Sequence, residues 1–269
     1  MAKTRRISIL YMITLCLFVH HTYSKDNPEI FNHISTVINK YQLFMQKGTL
    51  ENQDWSAFDT PPQARDVTFK RAFELFAENN GKTVVELGTT RSFVHGGLLG
   101  CNSDDVRFWT PDNPENWDWG AGCFTRVAAE CLAPLNPIMH TIDLAQQHIN
   151  RCKIITAPFA HFIHYHVCSS LTYLANTNDK IDLLYMDTGD MTPIEPTALL
   201  QLEEAKLLVS RDLIASHGLI LIDDVRNQTP KKFGETSDLG KAKYALPYLL
   251  EHGFEIIEDE YQVLLQKID

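Results

Sequence analysis

The sequence predicts a doubly wound α/β fold, in which a mostly parallel sheet carries helices on both faces. Short apolar runs with the length of buried strands alternate with longer helical patterns from residue 83 to the C-terminus, and this alternation is typical of parallel strand pairing. Of the 269 residues, 44% are hydrophobic and 22% are charged, which excludes a disordered, collagen-like or coiled-coil protein. A chain of this length can fold as one α/β domain without disulfides or metals.

The first 24 residues have the three parts of a secretory signal peptide. A basic start at Lys3, Arg5 and Arg6 is followed by a mostly apolar run over residues 7–19 and by a polar stretch that ends at Ser24. A membrane span needs about 20 apolar residues, which is longer than this run, so cleavage is favoured over anchoring. We therefore expect an exported protein, secreted or lumenal or periplasmic, with no stable membrane span after cleavage.

The expected organisation is a signal peptide (1–24), an N-terminal helical extension (25–66) and an α/β domain (67–269). The extension has one helical pattern over residues 30–45, in which apolar side chains recur at helical spacing. A second helical pattern over residues 67–76 leads through an Asn-Asn-Gly turn signal into the first strand at 83–88. This run is rich in β-branched residues and has the length of a buried strand.

The remaining elements follow in alternation. Strands are predicted at 138–142, 162–167, 181–186, 219–222, 254–258 and 261–266, and helices at 145–155, 170–175, 198–215 and 239–250. For the third strand, residues 153–156 are an alternative, but 162–167 leaves room for a helix after Asp143. We expect an antiparallel strand at the end of the sheet.

Charge and cysteine content limit the function classes. The net charge is −10, and no block of Lys and Arg is dense enough to follow a phosphate backbone, so nucleic acid is not an expected partner. The local positive patch is either a solvated face or a site for an anionic substrate, and it consists of Arg226, Lys231, Lys232, Lys241 and Lys243.

Five cysteines remain after signal cleavage, an odd number for an oxidising compartment. A bridge between Cys101 and Cys123 would close a loop rich in Trp, Asp, Asn and Pro, although spacing does not fix the pairing. His164 and His166 alternate with apolar residues, which favours one polar face of a strand over a set of metal ligands. Asn227 begins an Asn-Gln-Thr glycosylation signal, and Pro230 after it makes modification less favourable.

Acidic residues follow several of the predicted strands. They are Glu86, Asp143, Asp187, Asp190, Asp223 and Asp224. Any one of them is explained equally well as a helix cap or a turn residue. Together they place several anions on the edge of the sheet where ligands bind, and such an edge repels itself unless cations or hydroxyl donors are bound. Asp143 suits the ribose of a nucleoside, and Asp187, Asp223 and Asp224 suit Mg²⁺ or Ca²⁺.

With these residues in place, the sequence is similar to class I S-adenosylmethionine-dependent methyltransferases, and within them to the catechol O-methyltransferase-like group. The resemblance covers about residues 67–267 and rests on the order and spacing of four segments and one acid. These are VVELG (84–88), Asp143, SLTYL (170–174), KIDLLYMD (180–187) and GLILIDD (218–224).

The resemblance implies S-adenosylmethionine as cofactor and a divalent ion, Mg²⁺ or Ca²⁺. It places Glu86 and Gly88, with Thr90 and Ser92 of the same loop, beside the methionine part of the cofactor. Asp143 would hold the ribose, and Ser169 and Ser170 would lie near the adenine. The implied metal ligands are Asp187, Asp223 and Asp224.

Three features depart from the family pattern. The loop after Glu86 reads GTTRS (88–92) and keeps only its first glycine. Asp190 stands where the catechol-type enzymes have a lysine, so Asp190 and Asp187 become the candidate catalytic residues. Residues 101–122 form an insertion with three tryptophans, which is either a substrate lid or a packed surface loop.

These patterns predict a methyltransferase that acts on a small hydroxylated molecule or a glycan, with a divalent ion lowering the pKa of the acceptor. Two alternatives remain: a non-catalytic methyltransferase-like binding domain and a metal-dependent hydrolase. An NAD-linked oxidoreductase is disfavoured, because no GxGxxG motif follows the first strand.

Overall fold

A computed structural model describes residues 28–47, 64–93, 114, 117–120, 122–226 and 239–268. The described helices are α1 (Pro28–Lys47), α2 (Asp66–Glu78), α3 (Phe124–Leu132), α4 (Gln146–Ile155), α5 (Ser170–Asn176), α6 (Ile194–Ser210) and α7 (Ala245–Glu251). The described strands are β1 (Thr83–Leu87), β2 (Ile138–Asp143), β3 (Ile163–Val167), β4 (Ile181–Met186), β5 (Ile214–Ile222), β6 (Phe254–Asp259) and β7 (Val263–Lys267).

The sheet has the strand order β3-β2-β1-β4-β5-β7-β6. The five strands from β3 to β5 are parallel, and β7 runs antiparallel to both β5 and β6. The predicted doubly wound fold with an antiparallel strand at its end is therefore confirmed. Because the chain moves outward from β1 to β3 and then returns to β4 on the other side of β1, the order of the strands reverses between β1 and β4, where open sheets of this type bind ligands.

Each face of the sheet carries its own apolar core, because successive side chains of a strand point to opposite faces. Val84 and Leu183 face a core that includes buried residues of α1, α2 and α3. Val85 and Leu184 face the other core, which includes buried residues of α5, α6 and α7. Both faces of the central strands are thus covered, which explains why these strands read as continuous apolar runs.

Helix α1 shares the first core with the α/β domain. Its Tyr41 is fully buried, donates a 2.6 Å hydrogen bond to Oε2 of Glu130 in α3 and lies with its ring 5.2 Å from that of Trp117. Trp119 stacks on Trp117 at 5.1 Å and is also buried. The two tryptophans of the insertion that the structure describes are therefore packed against the N-terminal helix.

The structure differs from the sequence prediction at four elements. Helix α3 was not predicted. The predicted helix at 198–215 was wrong at its C-terminal end, because Asp212 has a φ of +50° and α6 ends at Ser210. β5 begins at Ile214 rather than at 219 and contains an irregularity near His217, whose φ is +55°. The predicted helix at 239–250 is divided into a 3₁₀ turn (Gly240–Ala242) and α7.

Several sequence predictions concern residues outside the described ranges. These include the signal peptide, Cys101, Asn227 and the lysines at 231 and 232. Within the described ranges, Cys123, Cys131, Cys152 and Cys168 are free thiols. None of the helices that the structure describes is long and apolar enough to cross a membrane.

Candidate active site

A cleft of about 360 Å³ lies at the carboxyl ends of β1, β2 and β4, where the strand order reverses. Its walls come from the segments that follow β1, β2, β4 and β5, from the residue before α2, and from the segments around Lys241 and Tyr261. The lining residues are Arg65, Gly88, Thr89, Arg91, Gly120, Asp143, His148, Asp187, Gly189, Asp190, Met191, Asp224, Lys241 and Tyr261. The position is the one that the sheet topology predicts for a ligand site.

The first wall is the turn after β1. Gly88 has a φ of +87°, and a Cβ atom at this position would lie 2.5 Å from the backbone oxygen of Asp187. Its N–H donates to the carbonyl of Ile142 at 2.8 Å, which ties the turn to β2. Only glycine satisfies both the backbone conformation and the close approach of β4.

Asp143, at the end of β2, fixes the next part of this wall. Its Oδ2 accepts from the N–H of Thr89 at 3.1 Å and lies 3.1 Å from Nδ1 of His148, while its Oδ1 accepts from the N–H of Ala145 at 2.7 Å. A carboxylate has about four acceptor positions, so Asp143 retains capacity for a hydroxyl group in the cleft. His148 also lines the cleft.

The opposite wall contains Asp187 and Asp224, two of the three aspartates that the sequence predicts as metal ligands, and the third, Asp223, is buried beside them. Oxygen atoms of Asp187, Asp223 and Asp224 lie within 4.8 Å of one another. Two cationic side chains are bonded to them. Arg65 binds Asp223 through Nε at 3.2 Å and Nη2 at 2.9 Å, and Nζ of Lys241 lies 2.8 Å from Oδ1 of Asp187 and 2.6 Å from Oδ2 of Asp224.

The turn before strand β7 completes this aspartate cluster, by which we mean Asp187, Asp223 and Asp224. Nε2 of Gln262 donates to Oδ1 of Asp223 at 2.8 Å, and the hydroxyl of Tyr261 donates to Oδ1 of Asp224. Burial opposes ionisation of Asp223, but the neighbouring Arg65 and Lys241 outweigh it and lower the pKa of that carboxyl. Burial likewise opposes the charge of Lys241, but the aspartates raise the pKa of its ammonium group above the ordinary value.

Asp190, the predicted base, lies at the rim of the cleft. Its side chain is 68% exposed, and Oδ1 accepts from Nη1 of Arg91 at 2.7 Å. Gly189 before it has a φ of +71° and lines the cleft. Asp190 is therefore accessible to a substrate, and it is already paired with an arginine.

The structure differs from the prediction for three residues of the first loop. Glu86 is 1% exposed and accepts from Thr125 and, at 2.6 Å, from Thr141. Strand alternation explains this, because Glu86 points to the same face as Val84, under α2 and α3, rather than to the cleft. Burial raises the pKa of Glu86 to about 7.

Thr90 and Ser92 also point away from the cleft. The hydroxyl of Thr90 donates to the carbonyl of Gly122 at 2.9 Å, and that of Ser92 donates to Asp118. Both side chains are buried against the insertion instead of lining the cleft. Gly120 does line it, so the insertion borders the cleft with its backbone while its two described tryptophans are packed.

The two predicted adenine-side serines lie at the start of α5. Ser169 is its N-cap, with Oγ accepting from the N–H of Thr172 at 3.0 Å, and Ser170 is buried at the first helical position. Neither lines the cleft in the part of the chain that the structure describes. Their position beyond β3 agrees with the prediction, whereas their hydroxyl groups serve the helix.

Sequence reasoning missed several residues that shape the cleft, namely Arg65, Arg91, His148 and Tyr261. Lys241 was noticed only as one member of a positive patch. These side chains come from loops and helix ends, where no apolar periodicity marks a position. One indication of these residues was present in the sequence: the edge of the sheet that carries several carboxylates needs cations beside it.

No protein-family profile and no curated protein matches this chain. Solved structures do match it. An SAH-bound methyltransferase of Podospora anserina aligns over 90% of this chain and 97% of its own, with 11% identity and a TM-score of 0.49. A putative caffeoyl-CoA O-methyltransferase from Staphylococcus aureus aligns over 88% and 99%, with 14% identity and a TM-score of 0.47.

A methyltransferase from Geobacter sulfurreducens aligns over 88% of both chains, with 12% identity and a TM-score of 0.44. At this level of identity the similarity concerns the fold. The strand order of the sheet establishes the predicted doubly wound fold independently of these alignments.

Proposed function

We propose that this chain is an S-adenosylmethionine-dependent methyltransferase of class I that acts on a small hydroxylated molecule or a glycan. The observation that carries this proposal is the cleft at the reversal of strand order, with the Gly88 turn and the Asp143 carboxylate on one wall and the aspartate cluster on the other. One wall suits a nucleoside, and the other presents charged groups to a polar acceptor.

The first wall fits the cofactor. The turn at Gly88 leaves backbone atoms at the surface of the cleft, Asp143 retains acceptor capacity for ribose hydroxyls, and His148 offers a second polar side chain beside it. When bound, S-adenosylmethionine supplies a methyl group on a positively charged sulfur. The protein itself must then align an acceptor oxygen with that methyl group and assist loss of the acceptor proton.

The second wall is suited to those two tasks. Lys241 and Arg65 place positive charge where an acceptor oxygen gains negative charge, which lowers the pKa of that oxygen. Asp190 is the exposed carboxylate at the rim and is the proposed proton acceptor. Asp187 positions Lys241 through its 2.8 Å bond.

The aspartate cluster offers the carboxylate oxygens that Mg²⁺ and Ca²⁺ prefer, but the space between two of these carboxylates contains the ammonium group of Lys241. The residues present therefore do not fit a divalent ion without displacement of that side chain. No step of the proposed reaction is assigned to a metal, and a metal-dependent hydrolase is disfavoured for the same reason.

We also propose that the protein works in an exported compartment. The support is the pattern of basic, apolar and small residues over positions 1–24. The described thiols of Cys123, Cys131 and Cys152 are buried, which protects them from oxidants in such a compartment.

A non-catalytic binding domain is the second candidate. The observation that favours it is the pairing of every carboxylate that lines the described cleft: Asp143 with His148, Asp187 and Asp224 with Lys241, and Asp190 with Arg91. A carboxylate that is paired with a cation is a weaker base. Such a site would bind a nucleoside ligand without turning it over.

The test is isothermal titration of the mature protein (residues 25–269) with S-adenosylmethionine and S-adenosylhomocysteine. We expect saturable binding that is lost in Asp143→Ala and retained in Glu203→Ala, a matched change at an exposed acid of α6. Failure of both ligands to bind at millimolar concentration would refute the proposal. Binding without turnover across a panel of hydroxylated acceptors would favour the second candidate.

A further inference from the structure

We propose that the ammonium group of Lys241 takes the place of the divalent cation in the aspartate cluster, and that Lys241 contacts the acceptor oxygen directly. The inference rests on the proposed methyl transfer for the role of the acceptor. If Lys241 has this role, the site needs no metal ion, although Asp187, Asp223 and Asp224 are arranged as metal ligands would be. The argument has four steps.

The first step concerns space. One nitrogen atom, Nζ of Lys241, lies 2.8 Å from Asp187 and 2.6 Å from Asp224. A divalent ion bound to the same two carboxylates would need oxygen distances of about 2.0 to 2.6 Å. An ion between the same two oxygen atoms would take the position that the ammonium group occupies, so the two cations exclude each other there.

The second step concerns the third carboxylate. Both oxygens of Asp223 are bonded to Arg65, and Oδ1 also accepts from Gln262 at 2.8 Å. Asp223 is 2% exposed and does not line the cleft. It is therefore committed to the arginine, and an ion in the cleft would not reach it.

The third step concerns charge. When all three acids are ionised, the aspartate cluster carries three negative charges, and a divalent ion would balance two of them. Arg65 and Lys241 together supply the same two positive charges from the protein itself. The repulsion that makes such an edge of the sheet unstable without bound cations is thus relieved within the chain.

The fourth step concerns how Lys241 is held. Gly240 before it has a φ of +49°, and a Cβ atom there would lie 1.9 Å from the backbone oxygen of Asp224. The N–H of Lys241 donates to that same oxygen at 3.2 Å. Only glycine permits this close approach, so the backbone beside Lys241 packs directly against Asp224 of the aspartate cluster. Lys241 as a whole is 3% exposed.

This placement leaves Lys241 one function beyond neutralisation. An ammonium group has three N–H donors, and two of them are used by Asp187 and Asp224. The third has no partner among the described residues, and Lys241 lines the cleft. We assign it to the acceptor oxygen, where it stabilises the negative charge that develops as the hydroxyl proton leaves for Asp190. Lys241 keeps its own protons throughout.

The first experiment is titration of the mature protein with Mn²⁺, followed by electron paramagnetic resonance of the free ion, and with Mg²⁺ and Ca²⁺ by calorimetry. We expect no binding at millimolar ion concentration and the same melting temperature in EDTA. The Lys241→Met variant should bind Mn²⁺, because its carboxylates then face one cation instead of two. Lys206→Met, at an exposed lysine of α6, is the matched control and should not bind.

Saturable binding of any of these ions by the unaltered protein would overturn the inference, as would a Lys241→Met protein that folds and still ignores Mn²⁺. If Lys241→Met does not fold, the titration of the unaltered protein alone still tests whether the site binds a divalent ion. Binding of S-adenosylhomocysteine is measured separately, so that loss of the proposed function is not mistaken for a metal effect.

The second experiment tests the contact with the acceptor. Once an acceptor is found, kcat of Lys241→Met should fall by about a hundredfold, since a donor to the developing charge is removed, while its affinity for S-adenosylhomocysteine stays within about twofold. Unchanged kcat would refute the contact.

Discussion

The guanidinium group of Arg65 and the carboxylate of Asp223 form two hydrogen bonds, at 3.2 and 2.9 Å, although the residues are 158 positions apart in the chain. Both side chains are almost fully buried. The pair joins the segment before α2 to the end of β5, and it supports the wall of the cleft that carries the aspartate cluster.

Replacement of Arg65 by methionine should destabilise the protein strongly. The change leaves the Asp223 carboxylate buried without its cation, and breaking a buried ion pair in this way costs about 3 to 5 kcal/mol in the free energy of unfolding. Urea denaturation followed by circular dichroism measures the difference. Arg71→Met, at a partly exposed arginine of α2 that lies 3.8 Å from Glu78, should cost less than about 1 kcal/mol. Equal losses for the two variants would contradict the prediction.

Gly88 offers a test of the close contact between β1 and β4. A Cβ atom at Gly88 would meet the backbone of Asp187 at 2.5 Å, whereas Gly253 has the same φ of +87° and nothing within 4 Å of such an atom. Gly88→Ala should therefore lose stability through conformation and contact together, and Gly253→Ala through conformation alone, at about 1 kcal/mol.

The melting temperature and the affinity for S-adenosylhomocysteine are measured for both glycine variants. Only Gly88→Ala should lose affinity, since only Gly88 lines the cleft. Similar behaviour of the two variants in both measurements would show that the backbone contact is unimportant.

Glu86 should make stability depend on pH. Burial raises its pKa to about 7 in the folded protein, and the ordinary value is about 4.3. Between these values the folded state holds a proton that the unfolded state has released. The contribution of Glu86 to stability is therefore complete below the unfolded pKa and decreases as the pH rises through about 7.

The measurement is the free energy of unfolding of wild type and Glu86→Gln at several pH values. Because a fully shifted group contributes about 1.4 kcal/mol per pH unit, we expect the variant to gain about 2 kcal/mol relative to wild type between about pH 5 and about pH 7. Glu203→Gln, at an exposed position, should show no such change. Parallel curves for wild type and Glu86→Gln would exclude a shifted pKa.

Tyr41 allows the contribution of α1 to be measured. Its hydroxyl is part-buried and donates to the carboxylate of Glu130 at 2.6 Å, and a hydrogen bond to a charged group contributes about 1.5 to 3 kcal/mol. Tyr41→Phe should lose about this amount in urea denaturation. Tyr244→Phe removes a similar bond to Glu195 at an exposed site and should cost much less. Equal costs for the two changes would show that the bond to Glu130 stabilises the docking of α1 no more than an exposed bond does.

The fold was predictable because its signals are local. Apolar runs marked the strands, and the aspartates after β2, β4 and β5 marked the edge where the cleft lies. Errors arose where a local signal was misleading: Leu213 and Ile214 continue the apolar pattern of α6, but the left-handed conformation of Asp212 ends that helix. At Glu86, the alternation of side chains along β1 places the carboxylate on the face that α2 and α3 cover.

The site was predictable only in its acidic half. Asp143, Asp187 and Asp224 lie in the cleft as expected, since strand ends fix their positions. The cationic half depends on contacts between distant segments, such as Arg65 with Asp223, and on the backbone at Gly240, which brings Lys241 onto Asp224. No pattern within a short window of sequence reports such contacts.

The position of Lys241 after the three aspartates in the sequence also bears on how the protein is made. Synthesis proceeds from the N-terminus, so Arg65 and the three aspartates emerge before Lys241 and Tyr261. Until Lys241 has been made, Arg65 is the one cation that the described residues place on the aspartate cluster. A nascent chain therefore completes this wall of the cleft only after Lys241 and Tyr261 have been made, and a chain that stops before them lacks the ammonium group that bonds to Asp187 and Asp224.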